Sequence, residues 1–201
     1  MTVFLDNDAL LKLVAWDLLD DALALLGAAR TDVQIHSDAG YVTRSKRKKP
    51  EYGGKPTFDR LDKVLPSLRV LRDAPDGFAA LVNVENVDVG EAILIGHAAS
   101  TDAAYLTTGD KRCVRALADP RLATFRLRLA GRIVCVEAAI EALILSGDFA
   151  GVRRRILPAR SCDTAIMAAF GSGMKAERAS VLEALRAYLA ELPPDLLFRH
   201  A

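Results

Sequence analysis

Three acidic residues, Asp6, Glu91 and Asp110, occupy positions from which they could act together on a bound ligand. Asp6 follows a short apolar run that predicts a buried strand, and Asp110 follows a second such run after a single glycine. Glu91 falls in the first turn of a predicted helix. Because ligands of open parallel sheets bind beyond the carboxyl ends of the strands, we expect these carboxylates to meet at one sheet edge.

Carboxylates gathered in one place repel each other, and burial with repulsion raises the pKa of at least one of them unless a cation neutralises the group. Mg²⁺ or Mn²⁺ would do so, because hard divalent ions prefer oxygen ligands. Asp8 and Asp88 are two further acids that could contribute charge. The histidines and cysteines show no zinc spacing. Such an ion can activate water and stabilise charge on a phosphate during hydrolysis.

Each acid also has a purely structural interpretation. Asp6 and Asp110 stand where an aspartate commonly caps a helix. Asp88 and Glu91 have the three-residue spacing of a capping box. The functional interpretation rests on the set, because three separate strand-to-helix steps bring acids to the same predicted region.

The pattern of apolar runs and helical stretches predicts an α/β fold. Strands that alternate with helices imply a mostly parallel central sheet covered on both faces, which is a three-layer sandwich. We assign residues 1–140 to this domain and residues 141–201 to a helical extension packed on it. The predicted strands cover residues 2–5, 33–36, 68–71, 105–108 and 133–136. The predicted helices begin at Asn7 or Asp8, at Ser37 or Asp38, and near residues 57, 89, 110, 138, 149, 164 and 176.

Composition indicates a globular protein, with 51% apolar and 26% charged residues. The formal net charge is +1, so any binding of nucleic acid must depend on a local concentration of positive charge. No apolar run is long enough to span a membrane, and the N-terminus lacks the pattern of a secretory signal. Three widely spaced cysteines fit reduced thiols, so we expect a cytoplasmic location and no membrane partner.

Three short motifs resemble those of the PIN-domain ribonucleases in order and spacing. The stretch VFLDNDALL from residue 3 resembles the opening strand and helix of that family. VDVGEA from residue 87 resembles a helix start found in some PIN-like subfamilies, and LTTGDK from residue 106 resembles the end of a later strand. The resemblance covers about residues 1–136.

The resemblance implies a PIN-like fold and a Mg²⁺- or Mn²⁺-dependent endoribonuclease acting on single-stranded RNA. It makes Asp6, Glu91 and Asp110 the metal ligands, with Asn7 and Thr108 as polar neighbours of the site. Many PIN domains are toxins of toxin–antitoxin pairs, so an antitoxin protein is an implied partner, and a homodimer is a further expectation.

One departure from the family weakens the expected site. The family usually places a further Glu in the helix after the second strand, whereas this chain has Tyr41 and Arg44 near that position. Asp38 is the nearest acid there and is expected to be a cap. Asp8 or Asp88 could supply the missing charge.

A basic segment from Arg44 to Lys55 contains six Lys or Arg residues and is broken by glycines and prolines. We predict a mobile, exposed loop that contacts the phosphate backbone of a nucleic acid, with a tyrosine that stacks on a base. A solvated surface loop is the alternative. The predicted binding residues are Lys46, Arg47, Lys48, Lys49 and Tyr52.

Two other functions remain open. A phosphatase of the haloacid dehalogenase type would use Asp6 as nucleophile and Asp8 as acid/base, because the two have the D-x-D spacing of those enzymes. That family usually has a small polar pair where this chain has Ala9 and Leu10, and Glu91 would have no role. A degenerate PIN-like domain that only binds RNA or a protein is the other alternative, supported by the missing helical Glu.

Overall fold

The protein has an α/β fold built on one parallel sheet, as shown by a computed structural model that describes residues 1–199. His200 and Ala201, the end of the predicted extension, lie outside the described residues. The strands are β1 (Thr2–Leu5), β2 (Val33–Ile35), β3 (Arg69–Val70), β4 (Ala104–Thr108) and β5 (Ile133–Cys135). Within residues 1–199 their order across the sheet is β3-β2-β1-β4-β5, and all neighbouring pairs are parallel.

Both faces of the sheet are buried at β1 and β5, where successive residues belong to different cores, whereas both residues of the edge strand β3 are exposed. Val3 and Leu5 pack into one hydrophobic cluster, whereas Phe4 between them packs into a second. In β5, Val134 joins the first cluster, and its neighbours Ile133 and Cys135 join the second. Two cores separated by one sheet are the arrangement of a three-layer sandwich, which confirms the predicted fold class.

Helices cover the two faces unequally. The first cluster is covered by α1 (Asn7–Ala15), α2 (Leu19–Leu25), α4 (Lys55–Val64), α9 (Val136–Leu145), α10 (Phe149–Ile156), α11 (Thr164–Ala169) and most of α12 (Arg178–Leu189). The second is covered by α5 (Phe78–Leu81), α6 (Val89–Ser100), α7 (Lys111–Ala116) and α8 (Ala123–Arg128). Helix α3 (Ala39–Ser45) leads from β2 into the basic segment.

The N-terminal helix differs from its prediction in two ways. Its cap is Asp6 rather than Asn7 or Asp8. It also ends at Ala15, because Asp17 adopts a left-handed backbone conformation with φ of 56° and the chain restarts as α2. The helical spacing of Leu10, Leu11, Val14, Leu18 and Leu25 predicts one continuous helix that stops at Gly27, and this prediction is wrong.

The helices after residue 145 share the first core rather than building their own. Val152, Ile166 and Leu185 are fully buried in the cluster that contains Val3 and Leu5. The indole of Trp16 at the end of α1 is fully buried and donates a hydrogen bond of 3.1 Å to the carbonyl of Ala159. The C-terminal helices thus pack directly on the N-terminal part of the chain. No helix within residues 1–199 is long and apolar enough to cross a membrane.

Candidate functional site

A cavity of about 590 Å³ opens at the carboxyl edge of β2, β1 and β4. It is the place where an open parallel sheet binds its ligands. Six carboxylates line it, together with Asn7, His36, Lys46 and Tyr52. The six acids are Asp6, Asp8, Asp38, Asp88, Glu91 and Asp110. The structure therefore brings all five sequence-predicted acids to one cavity and adds Asp38 to them.

Asp6 lies at the floor of the cavity and is 8% exposed. One carboxylate oxygen accepts a 2.6 Å hydrogen bond from the backbone N–H of Ala9, which caps α1. The other accepts from the Thr108 hydroxyl and from the Gly109 N–H, at 2.8 Å in the latter case. Burial, and then the charge of Asp8, raise the pKa of Asp6 to about 6, although its hydrogen bonds oppose the shift.

Glu91 and Asp88 form the capping box expected at the start of α6. The Asp88 side chain accepts from the Glu91 N–H, and the Glu91 side chain accepts from the Asp88 N–H, both at 2.8 Å. Burial raises the pKa of Glu91 to about 7, and the charges of Asp88, Asp110 and Asp6 add to the effect. Glu91 therefore combines a structural role with strong electrostatic contact to the other acids.

Asp110 caps α7 and is held by Arg112. Its carboxylate accepts from the Arg112 N–H at 2.7 Å and pairs with the Arg112 guanidinium at 2.8 Å. Burial alone would raise the pKa of Asp110, but the hydrogen bonds from Arg112 outweigh it and leave the pKa below its ordinary value. Arg112 itself is exposed, so its contact with Asp110 is open to competition from solvent and ions.

Asp6, Glu91 and Asp110 share a cavity, but each is held in a helix cap. Asp38, the expected cap of α3, stands at the start of that helix but makes no capping hydrogen bond with its side chain. Within residues 1–199, no three Asp, Glu, His or Cys side chains are arranged to hold a metal ion as they stand. The physical reason is that Asp6 and Glu91 point an oxygen at a backbone N–H, while Asp110 is also tied to Arg112. The donors are nevertheless carboxylate oxygens, two of them with raised pKa, which suits a hard divalent cation. Coordination by Asp6, Glu91 and Asp110 stays a prediction.

Asn7 and Thr108 lie next to the acids, as expected. The Asn7 amide donates a 2.8 Å hydrogen bond to Asp38, which also contacts the His36 ring at 2.6 Å. The amide oxygen of Asn7 is buried without a hydrogen-bond partner among residues 1–199. Asn7 itself lines the cavity, but this oxygen is not exposed to it, so the atom is unsatisfied in the fold.

Sequence reasoning missed a buried cation beneath the site. The Lys12 ammonium lies between Asp8 at 2.5 Å and Asp163 at 2.7 Å, and both Lys12 and Asp163 are buried. Burial lowers the pKa of Lys12, but the two carboxylates outweigh it and leave the pKa above its usual value. The only sequence signal was a lysine inside an apolar helix, four residues after Asp8.

A glycine gives Asp8 its position. A Cβ atom at residue 109 would lie 2.2 Å from the Asp8 carboxylate and 3.3 Å from the Lys12 ammonium. The turn between β4 and α7 therefore needs Gly109, because any larger residue would displace the Asp8 side chain. This turn and α1 meet at the cavity wall.

The basic segment is more ordered than predicted. It forms the end of α3, a turn and a single 3-10 turn at Pro50–Tyr52. The predicted exposed position of Tyr52 is wrong, because its ring is only 7% exposed and packs in the first core. Tyr52 still lines the cavity wall, but it is not placed to stack on a base in solvent. Burial raises the pKa of its phenol to about 12.

In comparisons with known proteins, no family model, curated protein or solved structure matches this chain.

Proposed function

We propose that this protein is a metal-dependent endoribonuclease of the PIN-like type. The observation that carries the proposal is a cavity at the carboxyl edge of a parallel sheet, lined by six acidic residues. Four of them come from the β1–α1, β2–α3 and β4–α7 steps, and Asp88 and Glu91 come from the start of α6, which follows α5 rather than a strand. The motifs at residues 3, 87 and 106, which resemble PIN domains, supply three of those acids, namely Asp6, Glu91 and Asp110. A basic segment contributes Lys46 to the same cavity.

The chemistry follows from the donor set. Asp6, Glu91 and Asp110 would hold Mg²⁺ or Mn²⁺, which supplies an activated water and stabilises the charge that develops on the phosphate. Thr108 and Gly109 fix one oxygen of Asp6, so that this carboxylate is oriented before any ligand arrives. The raised pKa values of Asp6 and Glu91 make both able to hold a proton near neutral pH when no cation is bound.

In the proposed site, Asp8 would supply part of the negative charge that a Glu in the helix after the second strand supplies in the family. It borders the cavity, and its side chain is about 44% exposed, but its charge is balanced by Lys12. Asp38 lies on the same wall and is held by Asn7 and His36. All six acids thus have defined partners, and in the proposed site Asp8 and Asp38 would carry the negative charge that a Glu at Tyr41 or Arg44 would otherwise bring.

The phosphatase alternative requires different roles for the same residues. It needs Asp6 as a nucleophile and Asp8 as an acid/base. Asp6 already accepts three hydrogen bonds and is buried, and Asp8 is paired with Lys12. Nothing in this geometry favours the phosphatase over the nuclease. An assay of the reaction products distinguishes the two functions.

Partners and location follow from the proposal. Single-stranded RNA is the substrate, and an antitoxin protein and a second copy of the chain are the partners that the family resemblance adds. Cys113 and Cys135 are buried and unpaired, which is compatible with the reducing conditions of a cytoplasm.

The test replaces a proposed ligand while keeping its helix cap. Asp110→Asn retains much of the capping ability and removes the charge. We expect it to abolish Mn²⁺- or Mg²⁺-dependent cleavage of single-stranded RNA while leaving RNA affinity intact or raised. Asp119→Asn is the matched control, because Asp119 accepts from the Arg121 N–H at 2.9 Å and pairs with the Arg121 guanidinium at 2.7 Å, away from the cavity.

Cleavage is measured on a labelled oligoribonucleotide with and without EDTA, and thermal unfolding of each variant checks the fold. Equal loss in both variants, or full activity of Asp110→Asn, would contradict the metal site. Hydrolysis of small phosphomonoesters with a trapped phospho-enzyme on Asp6, and no RNA cleavage, would establish the phosphatase instead. RNA binding without any cleavage would establish the degenerate domain.

A further inference from the structure

The ion pairs of the basic segment divide its cations into two groups. Arg47 pairs with Asp62 at 2.5 Å, Lys55 pairs with Asp59 at 2.7 Å, and Lys49 lies 3.8 Å from Glu51. Within residues 1–199, the remaining three cations of the segment make no salt bridge. These three are Arg44, Lys46 and Lys48. The free positive charge is therefore smaller and more localised than the sequence suggests.

The free cations adjoin an exposed aromatic ring. Tyr41 on α3 is 80% exposed, which is unusual for a large side chain that has an apolar ring. Arg44 is exposed one helical turn later, on the same face of α3 as Tyr41. Lys48 follows in the exposed turn after the helix. An aromatic ring beside unpaired cations is the combination that binds single-stranded nucleic acid.

The same helix borders the cavity. Val42, next to Tyr41, lines the cavity, and so does Lys46, which follows the end of α3. Six acids also line the cavity, one of them Asp38 at the start of α3 itself, so a phosphate that approaches them is repelled unless a cation accompanies it. Lys46 is the one free cation of the segment that stands at this boundary.

We propose that Tyr41, Arg44, Lys46 and Lys48 form the strip that binds the single-stranded RNA substrate beside the cavity. Tyr41 stacks on an unpaired base, Arg44 and Lys48 contact phosphates outside the cavity, and Lys46 contacts the phosphate nearest to the acids. This inference rests on the proposed nuclease function. It replaces Tyr52 by Tyr41 as the stacking residue, because only Tyr41 presents its ring to solvent.

A duplex does not fit the strip equally well. The base that stacks on Tyr41 must be unpaired and turned outward, which a single strand allows and a regular helix does not. We therefore expect a preference for single strands that depends on Tyr41, whereas the contribution of the cations is shared by any nucleic acid backbone.

The experiment measures binding of a fluorescent single-stranded oligoribonucleotide across a salt series, with the full chain carrying Asp110→Asn to prevent cleavage. Tyr41→Ala should weaken binding by roughly five- to 150-fold, and Tyr41→Phe should restore it, because the stacking ring remains. Lys46→Ala and Arg44→Ala should each flatten the salt dependence by about 0.7 units of slope. Lys55→Ala removes the same charge from a paired position and should leave the slope unchanged.

The possible negative results bear on the strip and on the nuclease function separately. If Tyr41→Ala binds as well as its parent, or loses as much affinity for a duplex as for a single strand, the strip is wrong. If Lys55→Ala flattens the slope as much as Lys46→Ala, the segment acts only through its total charge and the strip is also wrong. Metal-dependent cleavage by the otherwise unmodified protein would then leave the nuclease function standing. Absence of both RNA binding and cleavage overturns the strip and the function together.

Discussion

Glu91 is the residue at which structural and chemical roles compete. Its carboxylate completes a capping box, yet burial and three neighbouring acids raise its pKa to about 7. The pKa in the unfolded chain is near the ordinary value of 4.5. Because the folded protein binds this proton more tightly, its stability falls as the pH rises from about 4.5 to 7. Asp6 adds a similar loss between 3.8 and about 6.

Glu91→Gln removes the charge and keeps a side chain that can complete a capping box. Without metal, we expect the variant to be more stable than the unmodified protein at pH 8 by about 1–2 kcal/mol, and equal to it at pH 4. The measurement is urea unfolding in EDTA at both pH values. Glu183→Gln, at an exposed position of α12, is the control and should change neither value.

Added Mn²⁺ sharpens the same experiment. It should stabilise the unmodified protein at pH 8 and should stabilise Glu91→Gln much less, because a ligand that binds only the folded state stabilises it more at a given concentration when its Kd is lower. A variant that gains as much from Mn²⁺ as the unmodified protein would exclude Glu91 as a ligand. A variant that is less stable at pH 8 would show that the cap matters more than the repulsion.

The turn between β4 and α7 shows how one element sets the position of another. Gly109→Ala places a Cβ where the Asp8 carboxylate now lies, so Asp8 must leave Lys12. We expect a loss of about 1–3 kcal/mol in unfolding free energy, because the buried Lys12 then keeps only Asp163. The loss should nearly vanish when Gly109→Ala is made in an Asp8→Ala background.

Gly40→Ala is the control for that cycle. Gly40 is in α3, and an added Cβ would find its nearest neighbour at 4.0 Å, so alanine should be neutral or stabilising by up to about 1 kcal/mol. If Gly109→Ala costs the same with and without the Asp8 carboxylate, the contact does not determine the residue at this turn.

Some of the strands and helices are predictable from the sequence and others are not. The strands are predictable because each lies in a short, mostly apolar run, and the structure moves no strand end by more than one residue. Helix α5 has four residues after a left-handed Gly77, and α8 buries no residue, so neither carries an apolar period. The break at Asp17 depends on a backbone conformation that no pattern around it signals.

The residues of the candidate site were also predictable only in part. The acids were predictable because each follows a strand or opens a helix, and parallel strands bring such positions together. Lys12 was not, since its second partner Asp163 is 151 residues away along the chain. Tyr52 was misplaced because glycines and prolines around it suggest a loop, whereas its ring joins the core.

At the scale of the whole molecule, the first core contains side chains from both the N-terminal and the C-terminal parts of the chain. Removing residues 141–199 would take away many buried apolar side chains, among them Val152, Ile166 and Leu185. Each contributes about 1.5–3 kcal/mol, so a few of them match the total stability of a typical domain. We expect a chain of residues 1–140 not to fold on its own, as measured by circular dichroism and urea unfolding. A cooperative transition in that fragment would contradict this expectation.

The hydrogen bond from Trp16 to Ala159 also has a spectroscopic consequence. Trp16 is the single tryptophan of the chain, and it lies at the contact between the end of α1 and the segment after α10. Its fluorescence therefore reports, without any label, on the contact between α1 and the segment that follows α10. Emission from the buried indole should lie at short wavelength and shift to longer wavelength when water enters that contact, even while the sheet remains intact.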